Sequence, residues 1–266
     1  MGTEPARVNV LGVGVSAINM EMAIASFDGW IARRERQYVC ITGVHGVMES
    51  QRDPALRATL CQSGLTTPDG MPLVWLSKLH GFRHVERVYG PDLMLAICER
   101  SVEKGFRHFL YGGDTELVGA LAARLRQRYP GIQIVGTYAP PFRPLTPEED
   151  AEVVRVINDA APDVVWIGLS TPKQERWMAA HHKRIDAPVM VGVSAAFDFN
   201  AGHKKQAPRW MQRNGLEWLF RLLQEPRRLG RRYLVNNPLF IALVLLQTLH
   251  LKRWRLSETR ADGTMG

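Results

Sequence analysis

From Val8 to about residue 194, short runs of β-branched and aromatic residues alternate with longer segments whose apolar positions recur every three or four residues. The runs VNVLGV, YVCIT, HVERVYG, RHFLYGG, IQIVGTY, DVVWIGLS and PVMVGVS are predicted strands. Residues 19–36, 91–104, 115–128, 147–160 and 172–184 are predicted helices, several opening on a proline at a first-turn position. Alternation at this spacing implies βα units, hence an α/β fold: a Rossmann-like, mainly parallel sheet with helices on both faces. Ligands of such sheets sit at the carboxyl ends of the strands. The loops to watch are therefore 42–49, 66–70, 112–115, 138–144 and 168–174. No internal repeat or low-complexity stretch interrupts the pattern.

Near Gly202 the pattern gives way to a segment rich in Arg, Leu and Trp, followed by the 13-residue apolar stretch Leu239 to Leu251. A spanning helix needs ~20 apolar residues, so an interfacial or docking helix is expected instead. The expected organisation is an α/β catalytic domain (1–200), a helical membrane-association and lid appendage (201–256) and a disordered tail (257–266).

Charge follows the same division. The chain of 266 residues has a formal net charge of +8, yet residues 1–200 are almost balanced, and residues 201–235 carry nine Lys and Arg against only Glu217 and Glu225. Leu, Trp and Phe interleave that basic block, which suits an anionic lipid surface better than nucleic acid. Arg227 and Arg232 are expected to face the membrane. Three well-separated cysteines (Cys40, Cys61, Cys98) without a C-x-x-C pair argue against a disulfide framework or a zinc ribbon. The N-terminal run lacks the charged start and long apolar core of a signal peptide, so a peripheral location on the cytoplasmic face is expected.

Gly12-Val-Gly14-Val-Ser-Ala17 matches a dinucleotide fingerprint, but no acidic residue follows the YVCIT strand to hold a ribose; a tight turn is the expected role. Asp69, in the turn Thr67-Pro-Asp-Gly-Met-Pro72, either caps the following helix or serves as a general base on a loop at the ligand edge. His80 and His84 lack the glutamate of a zinc motif and are expected at the surface. No D-x-D occurs, so a leaving diphosphate would be neutralised by Arg, Lys and backbone N–H groups, with no metal and no cofactor. Gly112-Gly113-Asp-Thr is a candidate phosphate or ribose cradle, and Lys173 and Gln174 stand at the positive end of a helix.

These motifs occur in order with Thr42, Arg87-Val-Tyr-Gly-Pro-Asp92, Phe109-Leu-Tyr-Gly-Gly113, Pro172-Lys-Gln-Glu175, Gly192-Val-Ser-Ala-Ala-Phe-Asp198, Gly215-Leu-Glu-Trp-Leu-Phe-Arg221 and Pro226-Arg-Arg228. In this the sequence resembles the WecG/TagA/CpsF family of bacterial glycosyltransferases over roughly residues 8–240. The resemblance implies an inverting, metal-independent transfer from a UDP-sugar to a polyprenyl-diphosphate-linked saccharide, in exopolysaccharide or other cell-surface polysaccharide synthesis. It implies Asp69 as the base, Thr42, Arg87 and Gln174 as active-site partners, and Arg221, Arg228 and Arg231 as arginines closing over the diphosphate. Those three would align only on one continuous helix, which Pro226 threatens. Where the family often has Asn two residues after the Thr, and Asn-Ala before the Asp-Gly, this chain has Val44 and Thr67-Pro68. UDP-glucose and UDP-N-acetylmannosamine therefore both stand as donors. The alternative is a non-catalytic nucleotide-sensing or membrane-scaffold protein of the same fold, against which the presence of Asp69, Arg87 and Gln174 counts. Homo-oligomerisation is left open.

Overall fold

A computed structural model describes residues 4–256; the tail expected to be disordered lies outside the described residues. In chain order the elements are β1 (Arg7–Val10), β2 (Val13–Ser16), α1 (Met20–Arg33), β3 (Gln37–Thr42), α2 (Val44–Arg52), α3 (Pro54–Gln62), β4 (Leu65–Pro68) and α4 (Met71–Leu79). There follow α5 (Gly90–Lys104), β5 (Arg107–Gly112), α6 (Thr115–Arg128), β6 (Gln133–Tyr138), α7 (Pro147–Asp159), β7 (Val164–Gly168), α8 (Lys173–His181) and β8 (Val189–Gly192). The chain closes with α9 (Ala196–Ala201), α10 (Arg209–Arg213), α11 (Glu217–Gln224) and α12 (Pro226–Thr248). They form two compact units, one of residues 19–41 and 88–206, the other of 4–18, 42–87 and 207–256.

The first unit is the expected α/β fold. Its strands run parallel in the order β3-β8-β7-β5-β6. β7 and β8 are buried at nearly every position, as the continuous apolar runs of a covered parallel sheet require. Helix ends follow local chemistry. Asp114 accepts from the Leu117 N–H to start α6, and Thr146 and Glu149 form a reciprocal capping box on α7.

The second unit departs from the expectation. VNVLGV is an antiparallel hairpin, β1 with β2. Leu11 and Gly12 form its two-residue turn, both at positive φ, the backbone that tight hairpins demand. The Asn9 side chain accepts from the Gly12 N–H at 2.8 Å. The fingerprint glycines are thus turn and strand residues. HVERVYG is not a strand; it is loop leading into α5. Conversely, Leu65–Pro68, which overlaps the loop expected at 66–70, forms the short strand β4.

The basic and apolar C-terminal segments join into α12, 23 residues with Pro238 inside. It starts after a break at Glu225, where φ −132° and ψ 61° leave the helical region, and Pro226 takes the first-turn position. Arg221 therefore lies on α11 and Arg228 and Arg231 on α12, so the single continuous helix does not exist. Among the described residues no helix is long and apolar enough to cross a membrane.

Candidate active site

In the second unit two loops are tied together at their tips. The Asp69 N–H donates to the carbonyls of Thr42 and Thr67, each at 3.0 Å, so the end of β3 fixes the turn after β4. Helix α4 is capped by Gly70, with no side-chain cap bond. The Asp69 carboxylate is consequently available for something else, and the capping reading fails.

What it meets is Arg87. Nη2 of Arg87 donates to Asp69 Oδ1 at 3.2 Å and to Glu217 Oε2 at 2.6 Å, while Nε donates to the Asp69 backbone carbonyl. Gln212 donates its amide N–H to the Ala207 carbonyl at 2.8 Å, which leaves Oε1 turned to Arg87 Nη1. The side chains of Arg87 and Glu217 keep only 15% and 14% of their surface, that of Asp69 27%. Burial pushes the Asp69 carboxyl above its ordinary range; Arg87 pulls it down, Glu217 raises it further and Arg221 opposes the rise. A carboxylate kept basic and aimed by a guanidinium can take a proton from a hydroxyl.

Beside it lies a cluster of positive charge. His45 is held neutral, its pKa pushed down to about 3 by burial and by the charges of Arg232, Arg52 and Arg221. Its buried Nδ1 has no hydrogen-bond partner, and Glu49 Oε1 stands 3.8 Å off, too far to bond. Arg232 is itself half-buried, and burial lowers its pKa to about 10, with Arg221 and Arg228 adding repulsion. Its Nε is buried, whereas Arg227, the other residue expected at the membrane surface, is exposed. Arg231 is exposed, and Arg228, also exposed, is paired with Glu225. Thr42 is buried, its methyl facing Gly46 of α2.

The remaining sequence-derived residues belong to the first unit, at the carboxyl ends of its strands. Gly112 has φ +130°, and a Cβ there would meet the Gly168 backbone at 2.7 Å, so β5 and β7 approach as only glycine permits. Gly113 follows at φ +66°, and the next residue, Asp114, is engaged as the α6 cap. Lys173 is exposed at the first position of α8. Gln174 is fully buried: Oε1 accepts from Ser194 N–H at 3.0 Å and from Ser194 Oγ at 2.9 Å, and Nε2 donates to Glu175 Oε1 at 3.1 Å. It is built as the brace of the loop after β8. Glu175 is buried too, and burial raises its pKa against the pull of the Thr171 hydroxyl.

The structure thus gathers Thr42, Asp69, Arg87 and Arg221, and adds Gln212, Glu217, His45 and Arg232, which the sequence reading did not select. Among the described residues no group of three or more His, Cys, Asp or Glu is placed to hold a metal ion.

The model of the glycosyl transferase WecG/TagA/CpsF family matches residues 8–254. The chain belongs to this family. It is a glycosyltransferase, and the WecG/TagA/CpsF motifs named above are the ones that fold into the two clusters. Among its relatives is an N-acetylglucosaminyldiphosphoundecaprenol N-acetyl-beta-D-mannosaminyltransferase of Bacillus spizizenii (strain ATCC 23059 / NRRL B-14472 / W23), 30% identical over 197 residues, 74% of each chain. A protein of the same name from Bacillus subtilis (strain 168) is 27% identical over 242 residues, 91% of this chain and 82% of the relative.

The Asp69–Arg87–Glu217 contact makes a test possible within the site. Glu217 raises the Asp69 pKa, so Glu217→Gln should move the acidic limb of the kcat/KM profile to lower pH. A limb that stays where it is in the wild type would show that Glu217 is a structural strut only.

Proposed function

We propose that the protein transfers a sugar, with inversion, from a UDP-sugar to a saccharide carried on a polyprenyl diphosphate at the cytoplasmic face of the membrane, in cell-surface polysaccharide synthesis. The observation that carries this reading is the half-buried Asp69 carboxylate, gripped by Arg87 and raised in pKa beside a cluster of arginines. Asp69 Oδ takes the proton of the acceptor hydroxyl as that oxygen attacks the anomeric carbon from the face opposite UDP; the carbon–oxygen bond to the β-phosphate breaks and the electron pair leaves with UDP. Arg87 orients the base. Arg221, Arg228 and Arg232 crowd positive charge that a departing diphosphate would neutralise, while exposed Arg231 is left for the headgroup region. Gly112, Gly113 and Lys173 are assigned to the donor nucleotide, and Gln174 to holding the Ser194 loop in shape.

Residues 201–256 serve as the membrane-association and lid element. Leu234, Val235, Leu239, Ile241 and Leu245 of α12 are exposed, an apolar row that shallow insertion would bury, while exposed Arg227 and Arg231 suit anionic headgroups.

The experiment is product mass after incubating the purified chain with a polyprenyl-diphosphate-linked N-acetylglucosamine and a panel of UDP-sugars. The relatives' names put N-acetylmannosamine first. Val44, His45 and Thr67-Pro68 alter the amide contacts to the sugar, and a hexose-sized mass increment would instead establish UDP-glucose as donor. No increment with any UDP-sugar would overturn the proposal. Activity should persist in excess EDTA, since arginines supply the positive charge; strict dependence on added Mg²⁺ or Mn²⁺ would refute that neutralisation scheme.

A further inference from the structure

At the far end of α12 the chain does not trail away. The Trp254 carbonyl accepts from the Asn9 side-chain amide at 2.7 Å, and the Trp254 indole N–H donates to Gln51 Oε1 at 3.0 Å. Seven residues earlier, Gln247 accepts from the Leu11 N–H at 2.9 Å and donates to the Asn9 carbonyl at 3.0 Å. The last described segment is therefore pinned to the β1–β2 hairpin and to α2 by four hydrogen bonds of ordinary length. Between it and α3 lies a cavity of about 570 Å³, within the range of small-molecule sites.

Its lining is one-sided in charge. Arg57, Lys252, Arg253 and Arg255 contribute to it, and no Asp or Glu does, among the described residues. Arg57 is drawn in by the hairpin turn. Gly12 has no side chain, and a Cβ built there would meet the Arg57 Cδ at 3.3 Å and the Arg255 carbonyl at 3.2 Å. Four cations around one concave space repel each other and favour an anion of matching charge. Lys252 is steadied over the Trp254 ring at 5.0 Å. The rest of the lining includes the apolar Leu243, Trp254 and Leu256, and Leu245, Leu249 and Leu251 nearby in sequence are 54%, 64% and 71% exposed.

We propose that this cavity binds the phosphate of an anionic glycerophospholipid, its arginines on the phosphate oxygens and its apolar lining residues against the first carbons of the acyl chains. It gives the docking segment a discrete lipid site in place of a diffuse charge effect. The inference rests on the membrane-docking reading and is independent of the transfer reaction.

The test uses the full chain and monomeric dihexanoylphosphatidylglycerol below its micelle concentration, titrated calorimetrically. Saturable one-site binding is expected, weakened at least about tenfold in Arg57→Gln/Arg255→Gln, and unchanged within about twofold in Lys104→Gln/Lys183→Gln, which removes equal charge from the exposed surface of the other unit. Unchanged thermal unfolding in both double variants keeps the comparison valid; if the first unfolds early, Arg253→Gln alone replaces it, with about a fivefold loss expected. Absence of saturation, equal weakening in the two double variants, or inorganic phosphate binding as tightly as the lipid would each overturn the lipid assignment. Flotation with phosphatidylglycerol vesicles tests docking separately. Loss of flotation with short-chain binding intact would reject membrane docking and leave the lipid pocket standing, whereas flotation that survives Arg57→Gln/Arg255→Gln with no short-chain binding would do the reverse.

Discussion

Asp69→Asn should lower turnover by at least about 10² while leaving the protein folded, because an amide cannot accept the acceptor's proton at neutral pH. The geometry permits a clean variant. Asp69 caps no helix, its backbone N–H bonds to Thr42 and Thr67 do not involve the side chain, and Arg87 keeps Glu217 as partner. Stability should even favour the variant. A carboxyl whose folded pKa is raised opposes folding once ionised, and that opposition is absent at low pH and develops as pH rises through the window between the unfolded and folded values. Asp69→Asn is thus expected to unfold at a temperature equal to or above the wild type at pH 7, with the difference closing as pH falls through that window. Steady-state rates under chemistry-limited conditions together with thermal unfolding at two pH values check both halves. A mutant retaining more than half of wild-type turnover would remove Asp69 from the chemistry.

Arg87→Ala should be the most damaging substitution in the site. It leaves Asp69 and Glu217 facing each other with their shared cation gone and Arg221 alone offsetting Asp69, and breaking a largely buried ion pair of this kind costs about 3 kcal/mol. For a chain of this size that corresponds to a fall of roughly 6–12 °C in the unfolding midpoint, alongside a loss of at least about 10² in turnover. The pH dependence has a definite sign. The Asp69 carboxyl, already raised by burial, would lose the downward pull of Arg87, so the defect is full above its folded pKa and shrinks as acid protonates it. The double variant Arg87→Met/Glu217→Gln should recover much of the stability and none of the activity. Calorimetric midpoints of Arg87→Ala within about 2 °C of the wild type would show the grip to be energetically idle.

The parallel sheet was legible because its strands are continuous apolar runs and its helices carry their own start signals: the helix expected at 115–128 coincides with α6, which Asp114 caps. The hairpin and β4 were not. Four-residue strands bury too few positions for a period to show, and VNVLGV reads as one strand unless the positive φ at Leu11 is known. HVERVYG misled because β-branched residues also line loops; there a backbone bond from Glu86 N–H to the Ile18 carbonyl stands in place of a ladder. At the site, Asp69 and Arg87 were reachable through motif resemblance. Glu217 and Gln212 lie 130 and 125 residues from Arg87, and no local pattern reports a partner at that distance. The half-buried position of Arg232 beside exposed Arg231 was not legible for a related reason, since the phase of α12 depends on where α11 breaks at Glu225.

That same separation sets an order of events during synthesis. The surroundings of Asp69 stay open until Glu217, 130 residues after Arg87, has left the ribosome, roughly 6 to 26 s later at ordinary elongation rates. The stretch 88–206, by contrast, contains most of the first unit in one uninterrupted piece and can collapse as it emerges. The hydrogen bonds that join Asn9 and Leu11 to Gln247 and Trp254 span more than 230 residues and must likewise wait for the later partner. A chain synthesised only as far as residue 206 therefore holds Asp69 and Arg87 without the Glu217 carboxylate that completes their contact.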